Sequence, residues 1–254
     1  MERITKKNWI QWFIGLSDAE ANFQVFPKKR INLIKNIEYY NIGYGFHLSL
    51  SIKDRELLQK IFINLNSLGK IYEYDNRQEI RLAITKLEDL KWLIINIFDS
   101  FPLLTKHQRE RYSRLKYGVL NKFNRVESIE KYQDFLTNSY VVNLPILYDP
   151  YFTNQIAFDN WISGFINGEG SFVINSKGNL IFYIEQAENE VLNLIKNRFE
   201  LGPNVFFRVK RGENRKNTYS LAISSKKDIN TLIKFFDNTD LIPLYGNKKK
   251  QFDK

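Results

Sequence analysis

The feature that most constrains this chain is that it repeats. Trp12-x-x-Gly15-x-x-x-x-Glu20-x-x-Phe23 returns as Trp161-x-x-Gly164-x-x-x-x-Glu169-x-x-Phe172, each member shifted by 149 positions. The elements after each copy repeat as well. Alternating residues predict a strand over 22–28 and another ending near Ile52, matched by 171–175 and a strand ending near Ala187. Helical spacing follows over 55–65 and 191–199. Two more strand-like runs come next, 70–74 with 79–84 and 205–210 with 218–224, then a helix over 87–98 and 227–236. Apolar periods near 3.6 and near 2 separate the two kinds of element. One long unit at one offset restricts the chain to two copies of one design. The fold class expected is α+β, two pseudo-symmetric αββαββα halves with an antiparallel four-stranded sheet in each.

The organisation read from this pattern is a first half over 1–120, a connection over 121–154 and a second half over 155–254. The first half carries an extra helix over 107–120, with Tyr112, Leu115 and Val119 at helical spacing. The pattern lapses after it, where Pro145 and Pro150 hold their neighbours extended or in turns. At 43% hydrophobic residues there is material for a core in each half. The absence of cysteine excludes disulfides, a thiol nucleophile and thiolate metal sites, and His47 and His107 are the only imidazoles. No apolar run reaches about 18 residues and no signal-peptide core follows Met1, so a soluble, non-membrane protein is expected. A formal charge of +10 favours a polyanionic partner.

Both repeat helices carry small residues four apart, Gly15 with Ala19 and Gly164 with Gly168. Residues at i and i+4 share a face, and glycine inside a helix costs roughly 1 kcal/mol against alanine. Small residues in register in two copies point to two helices packed closely on each other. Glu20 and Glu169 close these helices, facing the unfavourable negative end of the macrodipole. Side-by-side pairing brings the two acids together, where a divalent cation neutralises both; Mg²⁺ typically takes one or two carboxylates and completes its shell with water and phosphate oxygens. Gly168-Glu169-Gly170 is no dinucleotide loop, because Val173 stands at the third glycine position and a helix, not a strand, precedes it.

The strands alternate between core and solvent. Asn22, Gln24, Phe26 and Lys28 oppose Phe23 and Val25; His47, Ser49 and Ser51 oppose Phe46, Leu48, Leu50 and Ile52; Glu79 and Arg81 oppose Ile80, Leu82 and Ile84. In the second half Arg208 and Lys210 alternate with Phe207 and Val209. The outer set is rich in the side chains that read base edges in a major groove, which admits a two-stranded ribbon. Lys28, Lys29, Arg30, Arg208, Lys210, Arg211, Arg215 and Lys216 are the candidates for phosphate contacts. Gln186 falls on the inner side of its strand with Phe182 and Ile184, where the first half has Leu50. A buried amide needs partners: it either satisfies backbone or water, or points toward the site near Glu169.

Phe13-Ile14-Gly15-Leu16-Ser17-Asp18-Ala19-Glu20-Ala21 and Ile162-Ser163-Gly164-Phe165-Ile166-Asn167-Gly168-Glu169-Gly170 resemble the two motifs of a single-chain LAGLIDADG homing endonuclease of the organellar, intron-encoded type. The resemblance implies a monomer whose motif helices form the interface between two saddle-shaped sheets gripping a long double-stranded DNA site. It implies Mg²⁺ on Glu20 and Glu169 with the backbone carbonyls of Ala19 and Gly168, and Ca²⁺ supporting binding without cleavage. Cutting across the minor groove would leave short 3′ overhangs. Basic residues late in each half, Lys248 and Lys106 with His107 as the alternative, would offset developing charge, and Gln186 takes an active-site position. Asn22, Gln24, Phe26, Lys28, Arg30, His47, Ser49, Ser51, Arg81, Ser171, Tyr183, Glu185, Arg208 and Lys210 are then the DNA-facing set. A mitochondrial or other organellar site follows from the resemblance alone. Ala21 replaces the last motif glycine, and Asn167 stands where the first copy has Asp18. The rival readings are a maturase that binds its host intron RNA and a transcription regulator on the same fold.

Overall fold

The structure, a computed structural model, describes residues 6–138, 153–209 and 217–254. The chain divides into two compact units, Ala21–Tyr148, and Met1–Glu20 with Asp149–Lys254. The first repeat helix, α1 (Lys6–Glu20), therefore packs with the second half of the chain.

The first unit holds β1 (Ala21–Asn32), β2 (Ile37–Ser51), α2 (Arg55–Asn64), β3 (Lys70–Tyr74), β4 (Glu79–Ile84), α3 (Leu87–Leu93), α4 (Lys106–Leu120), β5 (Arg125–Val126) and α5 (Ile129–Asn138). Its antiparallel sheet runs β1-β2-β4-β3. Phe46, Leu48, Ile80, Leu82 and Ile84 are fully buried beneath the helices, as alternation predicts, whereas Leu50 and Ile52, at the end of β2 and just after it, are only half-buried. Phe23 packs against Phe46, Phe98 and Tyr112 at centroid distances of 5.4, 4.9 and 5.4 Å. The stretch after 120, where the sequence pattern lapses, begins with ordered structure. β5 pairs with β2, α5 is tied down by Tyr132 Oη donating to the Val25 carbonyl at 2.7 Å, and Phe135 stacks on Phe123 at 4.3 Å. Three anchors at 126, 132 and 135 are too few to register as a period. Pro145 and Pro150 lie outside the described residues.

The second unit holds α1, α6 (Gln155–Glu169), β6 (Ser171–Ile174), β7 (Leu180–Gln186), α7 (Asn189–Arg198), β8 (Phe206–Arg208), β9 (Thr218–Ile223), α8 (Lys226–Phe236) and α9 (Gly246–Phe252). Asn154 caps α6 through the Ala157 amide at 3.1 Å. The sheet order β6-β7-β9-β8 copies that of the first unit. Phe172, the counterpart of Phe23, meets Phe182, Phe236 and Phe252 at 5.2, 6.1 and 5.4 Å. The αββαββα design therefore appears twice. β8 is shorter than the run expected over 205–210, and Phe206, Phe207 and Val209 around it are all more than half exposed. Alternation there does not report burial, because β8 is an edge strand that pairs only with β9 among the described residues and leaves all three of its residues exposed. Lys210, Arg211, Arg215 and Lys216 lie outside the described residues.

α1 and α6 meet backbone to backbone. A Cβ placed on Gly15 would lie 2.0 Å from the Trp161 carbonyl oxygen, and one on Gly164 would lie 1.9 Å from that of Trp12. Those are equivalent atoms in the two repeats, so the helices cross at their glycines about a local twofold. Around the crossing, Trp12, Phe13, Ile14, Leu16, Trp161, Ile162, Phe165 and Ile166 are all fully buried. Gly15→Ala and Gly164→Ala are each expected to cost about 2–3 kcal/mol, since a methyl group pressed on main chain cannot be relieved by a rotamer change. Urea unfolding measures this, and a loss below about 0.5 kcal/mol in both variants would contradict the backbone contact.

Candidate functional site

The ends of the crossed helices form the site. Their register is locked by polar groups buried between them. Asn160 donates to Gln11 at 3.1 Å, and these are again equivalent positions of the two repeats. The Trp161 indole donates to Asp18 at 2.9 Å. Asn167, the counterpart of Asp18, instead accepts from the Tyr245 amide at 2.6 Å, while Asn160 accepts from the Ile242 amide at 2.9 Å and Ser163 donates to the Ile242 carbonyl at 2.6 Å. The departure at Asn167 thus serves the C-terminal segment: it anchors the chain just before α9. Trp12, whose symmetric partner would be an acid at 167, has a buried indole N–H with no acceptor among the described residues.

Glu20 and Glu169 converge beyond this lock. A Cβ at Gly168 would lie 2.5 Å from the Ala19 methyl and 3.3 Å from a Glu20 carboxylate oxygen, so glycine leaves room for that acid. Gln186, buried on the inner side of β7, donates to Glu169 Oε1 at 2.9 Å and accepts from the Ala187 amide at 3.2 Å. Of the two roles left open for this amide, it faces the acid. Lys248 donates to the Gly170 carbonyl beside Glu169. Burial first, and then the negative charge of Glu20, push the Glu169 carboxyl up to about 7, against the opposing pull of Lys248 and Gln186.

A carboxyl raised by burial and by a neighbouring acid is, with that acid, a donor set for a hard divalent cation, which neutralises both and leaves most of its shell to water or phosphate oxygen. Among the described residues no cluster of three or more Asp, Glu or His could hold a metal ion. The fit is therefore to a cation shared with a ligand, and not to an all-protein cage.

The first half meets its own repeat differently at the position of Lys248. Lys248 is the third residue of α9 and Gln108 the third of α4. Gln108 donates to the carbonyl of Ala21, the counterpart of Gly170, at 2.5 Å. Four residues on, Tyr112 packs on Phe23 as Phe252 packs on Phe172. The counterpart of Lys248 is therefore the buried Gln108, a residue the sequence did not single out; its signal was the four-residue spacing to the aromatic anchor. Lys106 and His107 open the same helix, the lysine exposed and the histidine half-buried.

Directly opposed residues of an antiparallel sheet share a face, so register decides which predicted readers lie together. On the first sheet the pairs Asn22↔His47, Gln24↔Gly45, Phe26↔Gly43, Lys28↔Asn41, Arg30↔Tyr39, Ser49↔Arg81 and Ser51↔Glu79 put all nine predicted residues on one face. Phe26 lies flat there, because a Cβ on Gly43 would sit 2.6 Å from its ring, and Lys28 lies 5.0 Å over it. Arg81 is held by Glu79 at 2.7 Å and by Ser49 at 3.0 Å. Burial and the neighbouring Arg81 keep His47 below the usual imidazole range, which favours a neutral ring able to donate and accept. On the second sheet Ser171↔Tyr183, Glu185↔Ser220 and Arg208↔Thr218 place Ser171, Tyr183, Glu185 and Arg208 on one face. There Glu185 accepts from Tyr183 and, at 2.7 Å, from Thr218, while Arg208 donates to Ser220 at 2.9 Å.

Comparison with known proteins places these features in one group. A family profile described as LAGLIDADG endonuclease matches residues 13–119 and 162–254. The chain is 28% identical over 245 residues to "Probable intron-encoded endonuclease Cox1-I1b" of Schizosaccharomyces pombe, covering 92% of this chain and 60% of that protein. It is 27% identical over 253 residues to "Probable intron-encoded endonuclease aI3" of Dictyostelium citrinum, covering 98% and 93%. Among solved structures, the LAGLIDADG meganuclease I-CpaMI bound to uncleaved DNA superposes with a TM-score of 0.68 at 21% identity, covering 96% of this chain and 88% of that one. I-SmaMI bound to uncleaved DNA in the presence of calcium ions superposes with a TM-score of 0.64 at 19% identity, covering 96% and 88%. At these identities the structural likeness concerns the fold.

The raised carboxyl of Glu169 has a consequence for the metal-free protein. Its folded value lies above the 4.5 of the unfolded chain, so the native state holds the extra proton between about 4.5 and 7. Stability falls as pH rises through that window, by about 3 kcal/mol from this group. Thermal melts in chelator from pH 5 to 8 should show the decline; Glu169→Gln should flatten it, and millimolar Mg²⁺ should oppose it at the alkaline end. A wild-type profile that rises with pH and is unchanged in the variant would contradict the assignment.

Proposed function

Since the chain belongs to the LAGLIDADG endonuclease family, we propose that it is a site-specific double-stranded DNA endonuclease of the homing type. In this reading it recognises a long DNA site, hydrolyses both strands with Mg²⁺ and leaves short 3′ overhangs, promoting mobility of its host intron. The observation that carries the proposal is the convergence of Glu20 and Glu169 at the ends of the two glycine-crossed helices, where the charge of Glu20 raises the Glu169 carboxyl. The relatives' names as intron-encoded endonucleases and the neighbours' capture on DNA support it, as does the net charge of +10. The chain spans 60% of the length of the S. pombe relative.

Glu20 and Glu169, with the carbonyls of Ala19 and Gly168, would hold divalent metal against the scissile phosphates. Bound there, such an ion would supply Lewis-acid polarisation of the phosphate and activation of water. The chain's own groups set the conditions. Gln186 holds Glu169 by an amide hydrogen bond and fixes the carboxylate's orientation. Lys248, beside Glu169, offsets charge that develops on the phosphate; in the first half, where the neutral Gln108 takes the equivalent place, the role is proposed for Lys106, with His107 as the alternative, at the start of α4. Ser171, Tyr183, Glu185 and Arg208 would read one part of the target and the nine residues of the first sheet another; Lys210, outside the described residues, is included on the sequence pattern alone. Calcium would support binding without cutting. The protein would act as a monomer on DNA within an organelle, with residues 1–120 and 155–254 supplying the two halves of the site.

A cleavage selection on a randomised duplex library tests this. One long site cut with Mg²⁺, and bound but uncut with Ca²⁺, is the expected result. Glu20→Gln and Glu169→Gln should each lower cutting of that site by at least about a thousandfold and change Ca²⁺-supported affinity by less than tenfold. Cutting retained in both variants would remove the acids from the mechanism. Binding to structured intron RNA with no Mg²⁺-dependent DNA cutting would favour the maturase reading.

A further inference from the structure

β5 does more than connect the halves. Its two residues pair with β2 as Tyr40↔Val126 and Asn41↔Arg125, and Asn41 in turn pairs with Lys28 of β1. Lys28, Asn41 and Arg125 thus form one row across three strands, on the face that carries the predicted DNA readers. Val126 is buried on the opposite face, which fixes the register and turns Arg125 outward. The Ile42 amide donates to the Asn124 carbonyl at 2.9 Å and holds the same join.

Arg125 differs from the ion-paired cations of this sheet. Arg81 is engaged by Glu79 at 2.7 Å and Lys29 by Glu38 at 2.6 Å. Arg125 is exposed and makes no ion pair among the described residues; its guanidinium carbon lies 3.7 Å from the centre of the Tyr39 ring. Stacking on an aromatic face holds a guanidinium in place without using its in-plane N–H groups. Those groups form the rigid fork that recognises the O6 and N7 acceptors of guanine in the major groove. A side chain held in this pose also loses little rotamer freedom on binding.

We propose that Arg125, positioned by Tyr39, is a specificity-determining residue that reads a guanine in the outer part of the first half's target. The proposal rests on the endonuclease reading and extends it to a residue of the connecting stretch. Its place can be estimated from the strand. Lys28 lies seven residues beyond Ala21, where β1 begins next to Glu20. At about 3.3 Å per residue this is roughly 23 Å, or about seven base-pair steps of 3.4 Å from the cut.

The test is a binding selection with Ca²⁺ on a randomised duplex library, run in parallel for the wild type, Arg125→Ala, Arg125→Lys and Tyr39→Ala. The wild type should enrich guanine at one position about seven steps from the cut. Arg125→Ala and Arg125→Lys should flatten that position, losing roughly tenfold or more of discrimination, and leave the other positions unchanged. Tyr39→Ala should weaken the same position partially. Lysine keeps the charge and lacks the fork, so its failure to restore the preference separates base reading from phosphate contact. An unchanged profile in Arg125→Ala overturns the proposal, as does an even loss of affinity at every position with the preference intact. Enrichment of no site by the wild type would instead overturn the endonuclease reading itself. Circular dichroism melts within a few degrees of the wild type exclude misfolding as the cause.

Discussion

Everything at the site depends on two helix backbones touching at Gly15 and Gly164. Each glycine faces a carbonyl of the other helix, so neither tolerates a side chain, and the axes come closer than side-chain packing would allow. That approach sets how close the helix ends lie, and the ends carry carboxylates. Two acids at helix C-termini, partly buried and near each other, oppose folding through the macrodipole, through burial and through mutual repulsion. The glycines add their own propensity cost. Four unfavourable choices in one place, repeated at one offset, make sense where a cation shared with an anionic ligand relieves them. The surrounding apolar residues, all fully buried, supply the stability against which this arrangement is held.

The twofold relation is broken at particular residues, and the breaks fall around the acids. Gln186 holds Glu169, whereas Leu50 occupies the matching register position, since Phe46↔Ile84 corresponds to Phe182↔Ile223 and Leu50↔Ile80 to Gln186↔Tyr219. Lys248 and Gln108 take equivalent places on the carbonyls of Gly170 and Ala21, one charged and one neutral. Asp18 accepts the Trp161 indole, but Asn167 turns to the Tyr245 amide and leaves Trp12 without a matching acceptor. These are differences of charge and hydrogen bonding laid on one shared backbone.

The architecture was legible in the sequence because its periods are long and repeated. Fixed offset, small residues in register and inner-face alternation each come from geometry that any copy must satisfy, so two copies confirm each other. Gln186 was legible as an oddity, an amide in an apolar row, but its partner depended on where α6 ends relative to β7. Gln108 was hidden because sequence reasoning sought a cation to match Lys248 and so aligned the charge. The structure aligns the carbonyl and the aromatic four residues on instead. β5 was hidden for another reason. A two-residue strand has no period, and only the burial of Val126 and its pairing with Tyr40 define it.

The outer faces show why affinity and specificity need not follow from charge. Arg81, Ser49 and Glu79 satisfy one another, as do Tyr183, Glu185 and Thr218, and Arg208 with Ser220. To read a base, such groups exchange an internal hydrogen bond for an external one, with a small net gain for a correct base. A wrong base leaves a group with neither, which costs more than the correct one gains. Networks of this kind therefore discriminate more strongly than they bind, and on the proposed function the net attraction would fall to exposed cations such as Lys28 and Arg30. Arg125 combines the two behaviours. Its pose is fixed by an aromatic ring and not by an acceptor, so it has no internal hydrogen bond to give up, and its donors are committed only when a guanine edge is present.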